Sequence, residues 1–187
     1  MNLKNKTILF LGSSVTYGAC AGGVSFADMI KERCGANCIK EAVSGTTLAD
    51  INEGSYVSRL KAVDKEVKLD LFVCQLSTND ATRGIDIGEV EKAIRFILDY
   101  VKTTFGCPIV FYTGTYFENE RYTKMIELLY DLQKEYSFRI LDLYHDKEMR
   151  SVSEENYKRY MSDVIHPTLS GYEEWWTPKF IAFLGTL

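Results

Sequence analysis

Two adjacent serines, Ser13 and Ser14, follow an apolar run in the stretch LGSSVTYG near the start of the chain. A serine becomes a nucleophile when a turn exposes its hydroxyl, a base removes its proton and nearby N–H groups stabilise the oxyanion. The flanking Gly12 and Gly18 would permit such a turn. A tight connection between a strand and a helix has the same composition, so this stretch alone leaves both interpretations open.

The candidates for the base are few, because the chain contains only two histidines, His145 and His166. Each follows an aspartate by three residues, in the segments DLYH and DVIH, so the spacing does not distinguish them. His145 begins the charged stretch HDKEMR, which is typical of a solvated surface. His166 stands late in the chain, in a loop before a final helix. We therefore expect His166 and Asp163 to be the functional pair, with packing or helix capping as the alternative role of His166.

Apolar runs and helical periodicity predict the elements that must position these residues. The predicted strands are Thr7–Leu11, Cys38–Val43, Leu69–Leu76, Ile109–Thr113 and Phe138–Leu143. Apolar residues recur every three or four positions across Ile87–Thr103 and Asn119–Tyr136, which predicts amphipathic helices. A proline favours the first position of a helix, so the final helix is expected to start near Pro167.

Strands that are almost entirely apolar, alternating with amphipathic helices, indicate a parallel sheet covered on both faces. We expect one α/β domain over residues 1–187, since this length suits a single domain and no linker or repeat interrupts it. In such sheets the active crevice lies beyond the carboxyl ends of the strands. That rule places Gly12–Gly18, Ser44–Thr47, Ser77–Asp80 and the segment after the fifth strand at one edge.

Four sequence blocks, in this order, resemble the SGNH hydrolases, also called GDSL-type esterases and lipases. LGSSVTYG is similar to the block G-D-S-x-T-x-G, AVSGTT to the second block, LSTND to G-x-N-D and DVIHP to D-x-x-H. The resemblance implies a catalytic triad of Ser14, Asp163 and His166. It also implies an oxyanion hole formed by the backbone N–H groups of Ser14 and Gly45 and the side-chain amide of Asn79. The implied fold is a three-layer α/β/α sandwich with a five-stranded parallel sheet, similar to flavodoxin.

The sequence departs from the family pattern at four positions. Ser13 replaces the aspartate of the first block, Lys40 and Ala42 stand where asparagine and glycine are usual, and Ser77 replaces the glycine of the third block. These replacements affect the local geometry of the loops, and none removes a group with a catalytic role. Asp80, which follows Asn79, is expected to brace the loops by accepting hydrogen bonds from backbone N–H groups.

Composition excludes several classes of partner and site. The 26 acidic and 22 basic residues give a net charge of −4, without a basic stripe for nucleic acid or a cationic cluster for anionic lipid. The apolar run near the N-terminus is too short for a signal peptide, and no window approaches the roughly 20 apolar residues of a membrane span, so we expect a cytoplasmic protein. The five cysteines show no zinc-finger spacing, so free thiols and no metal or organic cofactor are expected.

The resemblance implies hydrolysis of an acyl ester and specifies the substrate poorly. The segment YTGTYFENERY, residues 112–122, combines aromatic and polar groups that suit stacking on a sugar ring, although a packed loop has the same composition. Trp175 and Trp176 are expected in the core or an interface. Without a long apolar lid, a short acyl chain on a polar or carbohydrate carrier is favoured. A thioesterase or lysophospholipase, and a non-catalytic ligand-binding domain on the same fold, are the alternatives, and the oligomeric state stays open.

Overall fold

The computed structural model describes residues 1–187 and contains one sheet of five parallel strands. The strands are β1 (Thr7–Gly12), β2 (Asn37–Ala42), β3 (Leu71–Gln75), β4 (Ile109–Tyr112) and β5 (Arg139–Leu141). Their order in the sheet is β2-β1-β3-β4-β5, with every neighbouring pair parallel. This is the flavodoxin-like order, so the predicted architecture is confirmed and the five strands differ from the prediction only at their ends.

Nine α-helices connect and cover the strands. They are α1 (Ser14–Tyr17), α2 (Phe26–Cys34), α3 (Tyr56–Ala62), α4 (Thr78–Thr82), α5 (Ile87–Thr104), α6 (Glu120–Glu135), α7 (Lys147–Arg150), α8 (Glu154–Tyr160) and α9 (Thr177–Leu184). The two amphipathic helices predicted from periodicity, α5 and α6, end within one residue of their expected limits. None of the helices combines the length and the apolar character that a bilayer-spanning segment requires.

The sheet separates two hydrophobic cores, because successive side chains of a strand point to opposite faces. One core of 27 buried residues joins the sheet to α3, α5 and α6, and includes Phe72 and Phe111. The other core of 20 buried residues joins it to α2 and α9, where Phe26 stacks on Phe180 with ring centroids 3.9 Å apart. A three-layer sandwich results, and its two helical layers fix the sheet edge where the polar loops emerge.

The final helical region starts near Pro167, as expected, but Pro167 is not its first residue. Pro167 instead pairs with Met161 in an isolated antiparallel bridge, and helical structure begins at residue 169. A wider π-type segment, Gly171–Trp176, then leads into α9, where Pro178 occupies the first turn. Because Pro178 has no N–H, it cannot donate to the carbonyl four residues earlier, and a widened turn accommodates this break. Pro178 therefore marks a break inside this continuous helical region, which runs from residue 169 to Leu184, and not its start.

Candidate active site

Ser14 is the first residue of α1 and follows β1 after a single residue. Its side chain is largely enclosed, with the residue 7% exposed. The Ser14 Oγ lies 2.8 Å from Nε2 of His166. The Ser14 N–H, at the first position of the helix, has no intrahelical acceptor and is free to meet a ligand.

Gln75, the last residue of β3, holds the turn that presents Ser14. Its Oε1 accepts hydrogen bonds from the Ser13 N–H and from Thr16 Oγ1, both at 2.9 Å. The Thr16 hydroxyl also lies 2.6 Å from the hydroxyl of Tyr112. This buried network anchors the turn although Ser13 stands in place of the usual aspartate. Gln75 was not among the predicted site residues, and its signal in the sequence is a polar residue at the end of an otherwise apolar strand.

A small closed loop presents His166 to the serine. Ser162 N–H donates to the His166 carbonyl at 2.8 Å, and Thr168 N–H donates to the Tyr160 carbonyl at 2.8 Å. With its flanks tied together in this way, the loop has little freedom to move the imidazole away from Ser14.

Asp163 fixes the orientation of the His166 ring. Asp163 Oδ2 lies 2.7 Å from His166 Nδ1, and Oδ1 accepts from the backbone N–H groups of Ile165 and His166 at 2.7 Å each. Burial raises the pKa of Asp163, but the hydrogen bonds from His166 and the two N–H groups outweigh it, so the pKa lies below its ordinary value. The ionised carboxylate keeps the ring hydrogen on Nδ1, and Nε2 is then free to accept the Ser14 hydroxyl hydrogen.

The second D-x-x-H segment forms a similar pair without a nucleophile. His145 Nδ1 lies 2.7 Å from Asp142 Oδ2, which also accepts from the Tyr130 hydroxyl at 2.7 Å. His145 is exposed, and no hydroxyl contacts its other ring nitrogen. The structure therefore distinguishes two histidines that local spacing left equivalent.

Gly45 and Asn79, the two other predicted oxyanion donors, belong to loops after β2 and β3. Gly45 has a φ of 78°, which a residue with a Cβ rarely adopts, and no acceptor in the chain uses its N–H. One hydrogen of the Asn79 side-chain amide is donated to the Thr46 carbonyl at 2.8 Å, which leaves the second hydrogen available. This bond ties the two loops together and orients the amide.

Asp80 braces the loop after β2, as expected. The carboxylate is fully buried and accepts from the backbone N–H groups of Leu48 and Ala49 at 2.8 and 2.9 Å. Arg59 of α3 also braces this loop, because it donates hydrogen bonds to the Gly12 carbonyl at 2.8 Å and to Thr46 Oγ1 at 3.0 Å. Arg59 thus joins the serine turn to the Gly45 loop, a role that its sequence context did not indicate.

The remaining departures from the family pattern have local structural roles. Lys40 Nζ forms an ion pair with Asp28 Oδ2 at 2.6 Å. Ser77 is the N-cap of α4, where its Oγ accepts from the Asp80 N–H. Ala42 is the last residue of β2. None of these three residues contacts Ser14 or His166 by a hydrogen bond.

Cys20 adds an exposed thiol beside His166 and Asp163. Its Sγ, a ring nitrogen of His166 and a carboxylate oxygen of Asp163 lie within 4.8 Å of one another. These three atom types are suited to binding a transition metal, although His166 and Asp163 already use their polar atoms in the hydrogen bonds described above. All five cysteines are free thiols, as expected.

The aromatic segment after β4 is mostly a packed loop. Tyr112, Phe117 and Tyr122 are buried, whereas Tyr116 is exposed. A cavity of about 670 Å³ lies at the amino ends of β4 and β5, on the edge of the sheet opposite Ser14. We assign the candidate site by its position at the carboxyl edge and not by cavity volume, since ligands of such sheets bind beyond the carboxyl ends of the strands.

Solved structures share this fold over nearly the whole chain. A protein from Lactobacillus plantarum has a TM-score of 0.84 at 18% identity, covering 98% of each chain. A member of the lipolytic protein G-D-S-L family from Veillonella parvula DSM 2008 has a TM-score of 0.77 at 15% identity, covering 97% of this chain and 100% of its own. AlinE4, an SGNH-hydrolase family esterase, has a TM-score of 0.62 at 21% identity, covering 98% of this chain and 97% of its own.

No curated protein sequence matches the chain significantly. The family model of the GDSL-like lipase/acylhydrolases, in contrast, matches residues 10–174, which span the turn of Ser14 and the loop of His166. Because this match covers most of the chain and the solved structures have the same fold, the protein belongs to the GDSL-like lipase/acylhydrolase family, whose members are also called SGNH hydrolases.

Proposed function

We propose that the protein is a serine-dependent acyl ester hydrolase in which Ser14, His166 and Asp163 form the catalytic triad. The observation that supports this most strongly is the continuous hydrogen-bonded chain from Ser14 Oγ through the His166 ring to the Asp163 carboxylate. Both distances, 2.8 and 2.7 Å, lie within the range that proton transfer between a nucleophile and its base requires.

In the proposed reaction, Ser14 Oγ attacks the acyl carbonyl while His166 Nε2 takes its proton. Asp163 holds the ring tautomer and stabilises the imidazolium. The leaving alcohol receives that proton from His166 and departs, leaving the acyl group on Ser14. A water molecule, activated by the same imidazole, then releases the acid and restores the serine.

The developing oxyanion would meet three donors: the N–H groups of Ser14 and Gly45, and the Asn79 side-chain amide. Each has a hydrogen that is not committed within the chain, and the loops that hold them are braced by Asp80 and Arg59. Donors fixed before the substrate arrives need no reorganisation during the reaction, which is why such groups contribute strongly to the rate.

A short acyl group, such as acetyl, on a polar or carbohydrate carrier is the substrate class that we propose. Arg83 Nη2 lies only 3.6 Å from the position that a Cβ on Gly45 would occupy, and the guanidinium has no carboxylate partner. A long hydrocarbon chain at this position would desolvate the cation, whereas a polar carrier would bind it. Thioesters and lysophospholipids share the same acyl chemistry, so they belong in the test.

The test uses two adjacent serines as matched variants. Wild type, Ser14→Ala and Ser13→Ala are assayed with p-nitrophenyl esters of increasing chain length, an acyl thioester, a lysophospholipid and acetylated sugars. Wild type and Ser13→Ala should hydrolyse the acetyl esters best, and Ser14→Ala should lose about five to six orders of magnitude in kcat. Equal rates for Ser14→Ala and wild type would exclude the mechanism, and no turnover of any substrate would favour a ligand-binding domain.

A further inference from the structure

A second cavity, of about 400 Å³, opens beside the loops that follow β4 and β5. Thr115, Tyr116, Arg150, Tyr157 and Trp175 contribute to its lining. The volume is within the range of small-molecule sites, roughly 300–1,000 Å³. The cavity does not include any residue of the proposed triad, so the proposed mechanism leaves it unexplained.

Arg150 gives this cavity an unused cation. Its guanidinium carbon lies 4.2 Å from the centroid of the Tyr116 ring, and the guanidinium makes no ion pair or hydrogen bond within the chain. The one acid in the lining, Glu154, is already paired with Lys158 at 2.6 Å. A guanidinium stacked on an aromatic ring keeps its N–H edges in a fixed plane, which suits bidentate binding of a carboxylate or phosphate.

Thr115 adds an unsatisfied hydroxyl. The residue is 4% exposed, and its Oγ1 has no hydrogen-bond partner in the chain. Buried polar groups are nearly always paired, because an unpaired one loses its interaction with water without compensation. Because Oγ1 itself is closed to solvent, a ligand hydroxyl in the cavity would become its partner only after a small movement of the cavity wall.

Three aromatic rings complete the lining and supply flat apolar faces. Tyr116 is exposed, while Tyr157 and Trp175 are partly buried, and the Trp175 ring is held by stacking on Tyr160 at 5.5 Å. Flat apolar faces combined with polar groups at the edge suit a ring that has C–H faces and hydroxyl substituents. The combination with Arg150 points to a sugar with an anionic group.

The cavity and the triad share a segment of chain. Tyr157 belongs to α8, whose last residue, Tyr160, is followed three positions later by Asp163. Burial and the negative charge of Asp163 both raise the pKa of Tyr157, so its hydroxyl lies within electrostatic reach of that carboxylate. Thr115 and Tyr116 follow β4 at the carboxyl edge of the sheet, the edge at which Ser14 also lies.

We propose that this cavity is a subsite for the carrier of the substrate, and that it binds a sugar ring bearing a carboxylate or a phosphate. The inference rests on the proposed function, because it assigns the carrier of the ester that Ser14 would cleave. It predicts that esters of acidic sugars are hydrolysed in preference to esters of neutral sugars.

Binding can be measured without turnover by NMR titration of the wild-type protein with glucuronate, glucose 6-phosphate and neutral glucose. At least one anionic sugar should bind about tenfold more tightly than glucose, since charge-assisted hydrogen bonds exceed neutral ones by roughly that factor. Arg150→Gln should abolish the difference. Arg139→Gln is the matched control, because Arg139 also lies over an aromatic ring, at 5.6 Å from Phe183, but lines the cavity at the opposite edge.

Equal affinity for glucose and for both anionic sugars, absence of saturable binding, or retention of the preference in Arg150→Gln would overturn the inference. Thr115→Val gives a second test that does not depend on charge. It removes an unpaired buried hydroxyl, so the variant should unfold at the same or a higher temperature and yet bind the anionic sugar several-fold more weakly. Unchanged affinity in this folded variant would contradict the role of Thr115.

The outcomes separate this inference from the proposed function. Ser14-dependent hydrolysis of p-nitrophenyl acetate without sugar binding would overturn the subsite and leave the esterase intact. Sugar binding that depends on Arg150, without any hydrolysis, would overturn the esterase and with it the role of the cavity as a substrate subsite, but would leave the cavity as a binding site for an anionic sugar. For an active enzyme, the ratio of kcat/KM for acetylated glucuronate to that for acetylated glucose should be about ten or more, and should fall toward one in Arg150→Gln.

Discussion

His166 Nε2 lies 2.8 Å from Ser14 Oγ, although 152 positions of sequence separate the two residues. The chain contains a second histidine in the same D-x-x-H spacing, and its ring is also bound to the aspartate, at 2.7 Å. Of the two histidine–aspartate pairs, only His166 with Asp163 has a serine hydroxyl within hydrogen-bond distance. Both histidines are paired with an aspartate. His166 therefore differs from His145 in its proximity to Ser14 and not in its pairing with an aspartate.

Replacement of His166 by alanine should lower kcat for p-nitrophenyl acetate by roughly four to six orders of magnitude, because Ser14 would lose its base. His145→Ala is the matched control, with the same substitution in the same local motif, and should keep nearly the wild-type rate. A large loss in His145→Ala together with a small loss in His166→Ala would reverse the assignment.

Removal of the Asn79 amide should slow catalysis while leaving the fold intact. Asn79→Ala takes away one proposed oxyanion donor, so kcat is expected to fall about a hundred- to a thousandfold with little change in KM. Circular dichroism would check that the variant is folded. A fall of less than about threefold would show that the amide does not face the oxyanion.

Asp80 is expected to affect stability as well as rate. Asp80→Asn keeps one carbonyl oxygen but places an NH₂ group where the second backbone N–H donates, so a buried hydrogen bond is lost. The free energy of unfolding should fall by about 1–3 kcal/mol, as measured by urea denaturation. An unchanged unfolding midpoint would mean that the buried bonds to Leu48 and Ala49 contribute nothing to the fold.

Alkylation of Cys20 should inhibit the protein. Burial raises the pKa of Cys38 to about 12 and that of Cys107 to about 11, so these thiols contain little thiolate at pH 8. Cys20 is exposed, and an adduct on its Sγ would crowd His166 and Asp163. N-ethylmaleimide should therefore label Cys20 before the other cysteines, as located by mass spectrometry. The esterase activity should fall in proportion to the fraction of Cys20 that is labelled.

The control for this experiment is Cys20→Ser, which should keep its activity during the same treatment. Parallel loss of activity in wild type and Cys20→Ser would place the sensitive group elsewhere.

Asp142 should make stability depend on pH in the acid range. Burial raises its pKa, but the hydrogen bonds from His145 and Tyr130 outweigh burial, and the pKa lies below the ordinary value of 3.8. A carboxylate with a lowered pKa stabilises the fold fully above its ordinary pKa, and this contribution is lost as the pH falls through the value in the folded state. The difference in unfolding free energy between wild type and Asp142→Asn should thus shrink from about pH 5 toward pH 2. A difference that stays constant over this range would contradict the shift.

Much of the fold followed from local patterns in the sequence. Five apolar runs became five parallel strands, and periodicity located α5 and α6 to within one residue at each end. These signals are local, since an apolar run and a helical spacing of apolar residues each reflect which faces of a single element must be buried. The proline signals were less decisive: Pro167 lies in the bridge to Met161, two residues before the final helical region, whereas Pro178 lies inside that region.

The sequence by itself identified the residues capable of this chemistry: a serine, two histidines that each follow an aspartate, and polar residues in the loops at the strand ends. Sequence context favoured His166 over His145, but only the tertiary structure showed that His166 contacts Ser14, and only it revealed the bracing by Gln75 and Arg59. The physical reason is that hydrogen bonds between distant segments depend on how two helical layers pack against one sheet, and no local pattern encodes those distances.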